Sequence, residues 1–186
     1  MLVEVDWSAV AADVPPGDLL KIRPDLAARL WADPDEARFA AEFGIPFGRG
    51  LFVMTSGVAA ESQGSPDGAF ANEPEPEPEE TPVGRLCKFG WITDASLHVN
   101  LADGTIWVSD GESDIEYELI HQDLSSLVYM LYLVESERPR EEGRPLGREW
   151  DEAIRSISEK ISAWDGVPCA EAAGFWGRFF ESYPMY

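Results

Sequence analysis

The chain has 186 residues, 45% of them apolar, with seven Trp and nine Phe spread along its length. That size and composition fit one ordinary folded domain burying roughly 70% of its unfolded surface, and they exclude an intrinsically disordered chain. The formal net charge of −21 repels nucleic acid, which is bound by Lys and Arg displacing condensed counterions, and it disfavours anionic membranes for the same reason.

No run of about 18 apolar residues is present to span a membrane. The opening "MLVEVDWSAV" carries acids where a secretory leader has Lys or Arg, which points to a cytoplasmic protein. Two cysteines, Cys87 and Cys169, make no disulfide framework. Only His98 and His121 could join them at a zinc ion, and there is no Cys-x-x-Cys pair, so neither a metal site nor a cofactor is expected.

The first well-marked element is a helix in "ADPDEARFAAEFGIP". Asp33 caps it, Pro34 fits its first turn, Glu36 completes a capping box, and Gly44 ends it before Pro46. Ala37, Ala40 and Ala41 form a small face, with Phe39 and Phe43 as larger contacts. "GLFVMTS" (50–56) then reads as a strand. Residues 59–82, "AAESQGSPDGAFANEPEPEPEETP", break the pattern. Alternating Pro opposes helix and ladder alike, and like charges extend the segment. This predicts a flexible acidic loop inside a single domain covering residues 1–186.

After another strand near "RLCKFGWIT", two alternating runs, "LHVNL" (97–101) and "TIWVS" (105–109), flank Asp103-Gly104, a turn dipeptide. A tight turn there pairs Leu101 with Ile106, Asn100 with Trp107, Val99 with Val108 and His98 with Ser109. In "IEYELI" (115–120) a four-residue loop pairs Val108 with Ile115, Trp107 with Glu116, Ile106 with Tyr117 and Thr105 with Glu118. The expected result is an antiparallel meander with one oily and one polar side.

Two amphipathic helices follow. Asp123 caps the first, with Leu124, Leu127, Val128, Leu131 and Val134 as its buried stripe. Trp150, Ala153, Ile154, Ile157, Ile161 and Trp164 form the stripe of the second, which Gly166 stops. "GFWGRFFESY" closes the chain as a short aromatic helix. Helices at both ends with antiparallel strands between them define an α+β class.

Several of these segments resemble the SUKH superfamily. They are the helix ending in "FGIP" (43–46), the strand "GLFVM", the hairpin "LADGTIWVS", the "SSL..ML" helix from Ser125 to Leu131, and "GFW..FF" (174–180). Across roughly residues 25 to 180 they look most like its fourth branch, the bacterial immunity proteins of polymorphic toxin systems. The resemblance implies a SUKH-like domain without catalysis that binds a cognate toxin, often a nuclease or a nucleic-acid deaminase. Such toxins need cationic surface, and an acidic antagonist matches it.

The residues themselves leave rival readings open. Glu116 and Glu118, on one strand face among other acids, look like a solvated surface rather than the two facing carboxylates of a glycosidase. "DGESD" lacks the spacing of a calcium loop, and there is no nucleophile elbow or phosphate-binding glycine motif. Trp107 falls away from the oily side. It is either core beneath a helix on the second face or an aromatic anchor framed by acids. The candidate partner-binding set is Trp107, Asp110, Glu112, Asp114, Glu116 and Glu118. A general scaffold of the same fold and an acid-dependent hydrolase are the alternatives.

Overall fold

The computed structural model describes residues 1–60, 65–109, 116–139 and 147–182. Near the N-terminus, α1 (Trp7–Asp13) is capped by Asp6, whose carboxylate accepts the Ser8 and Ala9 amides. A short strand β1 (Leu19–Leu20) and α2 (Pro24–Leu30) lead to α3 (Pro34–Glu42). The Asp33 carboxylate accepts the Asp35 amide at 2.8 Å, as a cap should, and Gly44 takes the left-handed φ of 96° that ends the helix. Glu36 has a different place from the expected one. Its side chain is buried against the rest of the domain instead of closing a capping box.

After β2 (Ile45–Pro46) and a 3-10 turn at Gly48–Gly50 comes a seven-stranded sheet. Its members are β3 (Phe52–Thr55), β4 (Phe70–Ala71), β5 (Glu79–Thr81), β6 (Gly84–Ile92), β7 (Ala95–Asn100), β8 (Ile106–Ser109) and β9 (Glu118–His121). The strand order is β4-β3-β6-β7-β8-β9, with β5 also paired to β6. The sheet is mixed, because β4 runs parallel to β3 while the other pairs are antiparallel. Two strands thus come from the stretch expected to be a flexible loop. It is tied down further by the Gly57 amide donating to the Glu73 carbonyl and by ion pairs from Glu75 to Arg23 and Arg29. A Cβ on Gly57 would lie 2.2 Å from the Glu75 nitrogen, so only glycine lets the segment pack this closely.

The meander forms, with two corrections of register. Leu97 pairs with Val108, His98 with Trp107 and Val99 with Ile106, two residues from the expected pairing. The turn closes between Asn100 and Thr105: the Asn100 amide donates to the Thr105 carbonyl, and Gly104 (φ 76°) donates back to the Asn100 carbonyl. A slip of two preserves parity, so Leu97, Val99, Ile106 and Val108 still share the oily face. The next pair differs more. Trp107 opposes Leu119 and Val108 opposes Glu118, and a bulge precedes the Ile106–His121 pair. Here parity is exchanged. Tyr117 and Leu119 lie on the Trp107 side, while Glu118 lies on the core side.

Three helices complete the chain: α4 (Leu124–Glu137), α5 (Gly147–Ser162) and α6 (Phe175–Ser182). Asp123 caps α4 through the Ser126 amide at 2.8 Å, and Leu124, Leu127, Val128, Leu131 and Val134 are fully buried, as expected. Ile154 and Trp164, expected in the buried stripe of the next helix, are half-buried; Trp164 lies just beyond the end of α5. One cluster of buried side chains joins the oily sheet face to all helices from α2 to α6, giving an α+β fold.

Candidate partner-binding face

The sheet face opposite that core is built by cross-strand rungs. One runs Lys88–His98–Trp107–Leu119, and a second runs Val53–Trp91–Ser96–Ser109. Trp91, Trp107, Tyr117 and Leu119 are all half-buried. The Tyr117 ring meets His98 edge-on at 5.7 Å, and Lys88 sits 4.1 Å above the Trp91 ring. Trp107 donates its indole N–H to Thr105 Oγ1 at 2.8 Å, and that hydroxyl donates to Asp103 at 2.6 Å. The indole is therefore held in one orientation while its ring stays partly accessible.

The titratable groups at this face are His98, Lys88 and Tyr117. Burial and the nearby Lys88 ammonium push His98 down to about 4, so the imidazole is neutral near pH 7. Lys88 is itself paired with Glu73 at 2.9 Å. Burial raises the Tyr117 phenol, and the charges of Glu79 and Glu116 raise it further, which places both carboxylates in its field. Glu79 comes from β5, on the rung Glu79–Leu86–Asn100.

Of the residues expected to bind a partner, Trp107 falls at this face; Glu116 is exposed just before β9, where its charge is felt by the neighbouring Tyr117 phenol. Asp110, Glu112 and Asp114 lie outside the described residues. Glu118 goes elsewhere: it accepts the Phe175 amide and pairs with Arg178 at 3.1 Å, docking the start of α6. Sequence reasoning missed Tyr117, Trp91 and Glu79. A parity count that allowed for a bulge would have found Tyr117; Glu79 was hidden inside a Pro-rich run.

A serine, a histidine and an aspartate also meet, deep inside the protein. Trp176 donates to His121 Nε2 at 3.1 Å, which leaves the ring proton on Nδ1, 2.7 Å from Ser126 Oγ. The Ser126 hydroxyl in turn donates to Asp165 at 2.7 Å. Proton donation thus runs from histidine to serine, the reverse of what a nucleophilic serine needs. All three residues are buried, and burial pushes the His121 imidazole down despite the pull of Asp165. Asp165 is held at about 2: burial opposes its ionisation, but the nearby His121 ring and hydrogen bonds from the Gln122 amide, Ser126 and the Val167 amide outweigh it. This is a fastener joining the start of α4 to the segment after α5. Among the described residues, no group of three His, Cys, Asp or Glu side chains could hold a metal ion, and no helix is long and apolar enough to cross a membrane.

A sheet with the core and helices on one side and an aromatic row on the other defines an α+β domain. The chain belongs to the SUKH-4 immunity protein family, whose model matches residues 5–182, nearly its whole length. Membership implies a toxin-neutralising immunity role, exercised by binding a cognate toxin. Comparison with curated proteins and with solved structures gives no match.

Proposed function

We propose that the chain neutralises a toxin domain with a cationic surface, such as a nuclease or nucleic-acid deaminase, by seating it on the outer sheet face. Trp107 and Tyr117 supply the apolar contact, and Glu79 and Glu116 meet Lys or Arg at the rim. A toxin that handles nucleic acid needs a basic groove, and a carboxylate-framed aromatic face competes for that groove directly. The observation that carries this reading is a half-buried Tyr117 in the field of carboxylates from two different segments, Glu79 and Glu116, on the same face as the pinned Trp107. The same field keeps nucleic acid and anionic membranes away.

The test is co-expression with the toxin encoded beside it, followed by pull-down, toxicity rescue and titration of purified variants. Trp107→Ala is expected to weaken the complex by about 2 kcal/mol, roughly thirtyfold in Kd. Its thermal midpoint should stay within a few degrees of the parent. Unchanged affinity would reject this face as the docking site, and unfolding would return Trp107 to a purely structural role. Turnover of any substrate that disappears in Glu116→Gln would instead support an enzyme.

A further inference from the structure

A second surface of related chemistry lies between the last two helices. Between α5 and α6 runs a groove of about 410 Å3, within the size range of ligand sites. Its floor is Trp150, Trp176 and Phe180, with Ile154 half-buried above them. That floor is rigid. The Trp150 indole donates to the Phe180 carbonyl at 2.9 Å, and the rings of Trp150 and Phe180 meet edge-on at 6.1 Å. The wall at Ala172 is close-packed, since a Cβ on Gly177 would lie 1.9 Å from the Ala172 carbonyl oxygen. Around this apolar floor stand three exposed carboxylates, Asp151, Glu171 and Glu181, and among the described residues no Lys or Arg lines the groove.

We propose that this groove is a docking site for a polypeptide segment that carries a large aliphatic side chain between lysines or arginines. The aliphatic group would fill the space above Trp176 and Phe180, and the flanking cations would meet Asp151 on one side and Glu171 and Glu181 on the other. Charge complementarity selects this occupant. An anionic segment would face three carboxylates without a counter-charge, and a purely polar one would leave the aromatic floor wet. The groove is separate from the outer sheet face, so the proposal stands whether or not that face binds the toxin.

Cys169 lines the groove and is half-buried, whereas Cys87 is in the core with its thiol pushed up by burial. Modification of Cys169 by a thiol reagent, followed by mass spectrometry to separate it from Cys87, therefore reports occupancy. The probe is a short synthetic peptide with one leucine flanked by lysines, and its controls replace leucine by serine or the lysines by glutamates. At about ten times its Kd, the leucine–lysine peptide should slow Cys169 modification about tenfold, because only the unoccupied fraction reacts. Both controls should leave the rate unchanged, and the exposed double variant Asp151→Lys, Glu171→Lys should abolish protection. The proposal is overturned by absent protection or by equal protection from the glutamate peptide. It is also overturned if the rate falls with protein concentration alone, which would make the groove an interface between copies of the chain.

Discussion

Replacing Glu36 with glutamine is expected to stabilise the protein at alkaline pH and to change little in mild acid. The Glu36 side chain is buried, and a Cβ placed on Gly104 would lie 2.6 Å from its Oε2, so the carboxyl sits tight under the β7–β8 turn. Burial raises it to about 7 from 4.5, helped by the charges of Asp123, Asp33 and Asp103 and opposed by the N-terminal ammonium. Because the folded state binds this proton more tightly than the unfolded chain, its stabilising contribution is complete below pH 4.5. It is lost as pH rises through 7. At about 1.36 kcal/mol per pH unit, the rise is worth about 3 kcal/mol by pH 8. Glu36→Gln cannot ionise, so it should raise the thermal midpoint at pH 8 by about 6 to 12 °C for a domain of this size. At pH 5 the difference should shrink to about a quarter of that. Calorimetric or circular-dichroism melts of both proteins across this range measure the effect. A variant destabilised by the same amount at every pH would show that Glu36 makes hydrogen bonds that outweigh its buried charge, and the reasoning would fail.

Asp165→Asn should cost about 2 to 3 kcal/mol in urea denaturation, because an amide NH2 would face donors where the Asp165 carboxylate now accepts from the Gln122 amide, Ser126 and the Val167 amide. The variant should also lose the steep acid limb, since the Asp165 contribution is present above its ordinary 3.8 and disappears as pH falls through about 2. Salt should act with opposite signs on folding and on binding. Shortening the Debye length below about 10 Å raises the thermal midpoint by screening self-repulsion and slows association with the toxin; a k_on indifferent to salt would remove electrostatic steering from the mechanism.

Where local chemistry decides a structure, the sequence was readable. Asp33 and Asp123 cap as their side chains dictate, and the apolar stripe of α4 is buried at every expected position. Alternation also assigned the β7 and β8 faces correctly, although the pairing was two residues out. Parity survives an even slip, and the turn is closed by Asn100 and Thr105 rather than by Asp103-Gly104 alone. The third strand was not readable in this way. A single bulged residue before His121 exchanges its faces, and a bulge is chosen by long-range packing that no local pattern encodes. That one residue moved Tyr117 to the aromatic face and sent Glu118 to dock α6. The Glu-Pro stretch misled for a different reason. Pro74, Pro76 and Pro78 do block a ladder, but the next residues, Glu79 to Thr81, pair with β6 as soon as the alternation ends. Partners far along the chain, Arg23, Arg29 and Lys88, then hold its acids in place.

The use of the few cations bears on whether the acidity serves only solubility. Arg23 and Arg29 pair with Glu75, Lys88 with Glu73, Lys160 with Glu137 and Arg178 with Glu118. Exposed pairs of this kind contribute about 0 to 1 kcal/mol each, so stability does not explain them. Their shared effect is positional: they fasten the Glu-Pro segment to α2 and β6, α5 to the end of α4, and α6 to β9. With the cations used in this way, Glu79 and Glu116, and Asp151, Glu171 and Glu181 around the groove, form no ion pair among the described residues. Charge kept for solubility has no reason to gather beside the partly accessible aromatics of the sheet face or around an apolar groove, where apolar surface works against solubility. Charge kept for recognition does, because the aromatic supplies the affinity and the unpaired carboxylate decides which surface can approach it.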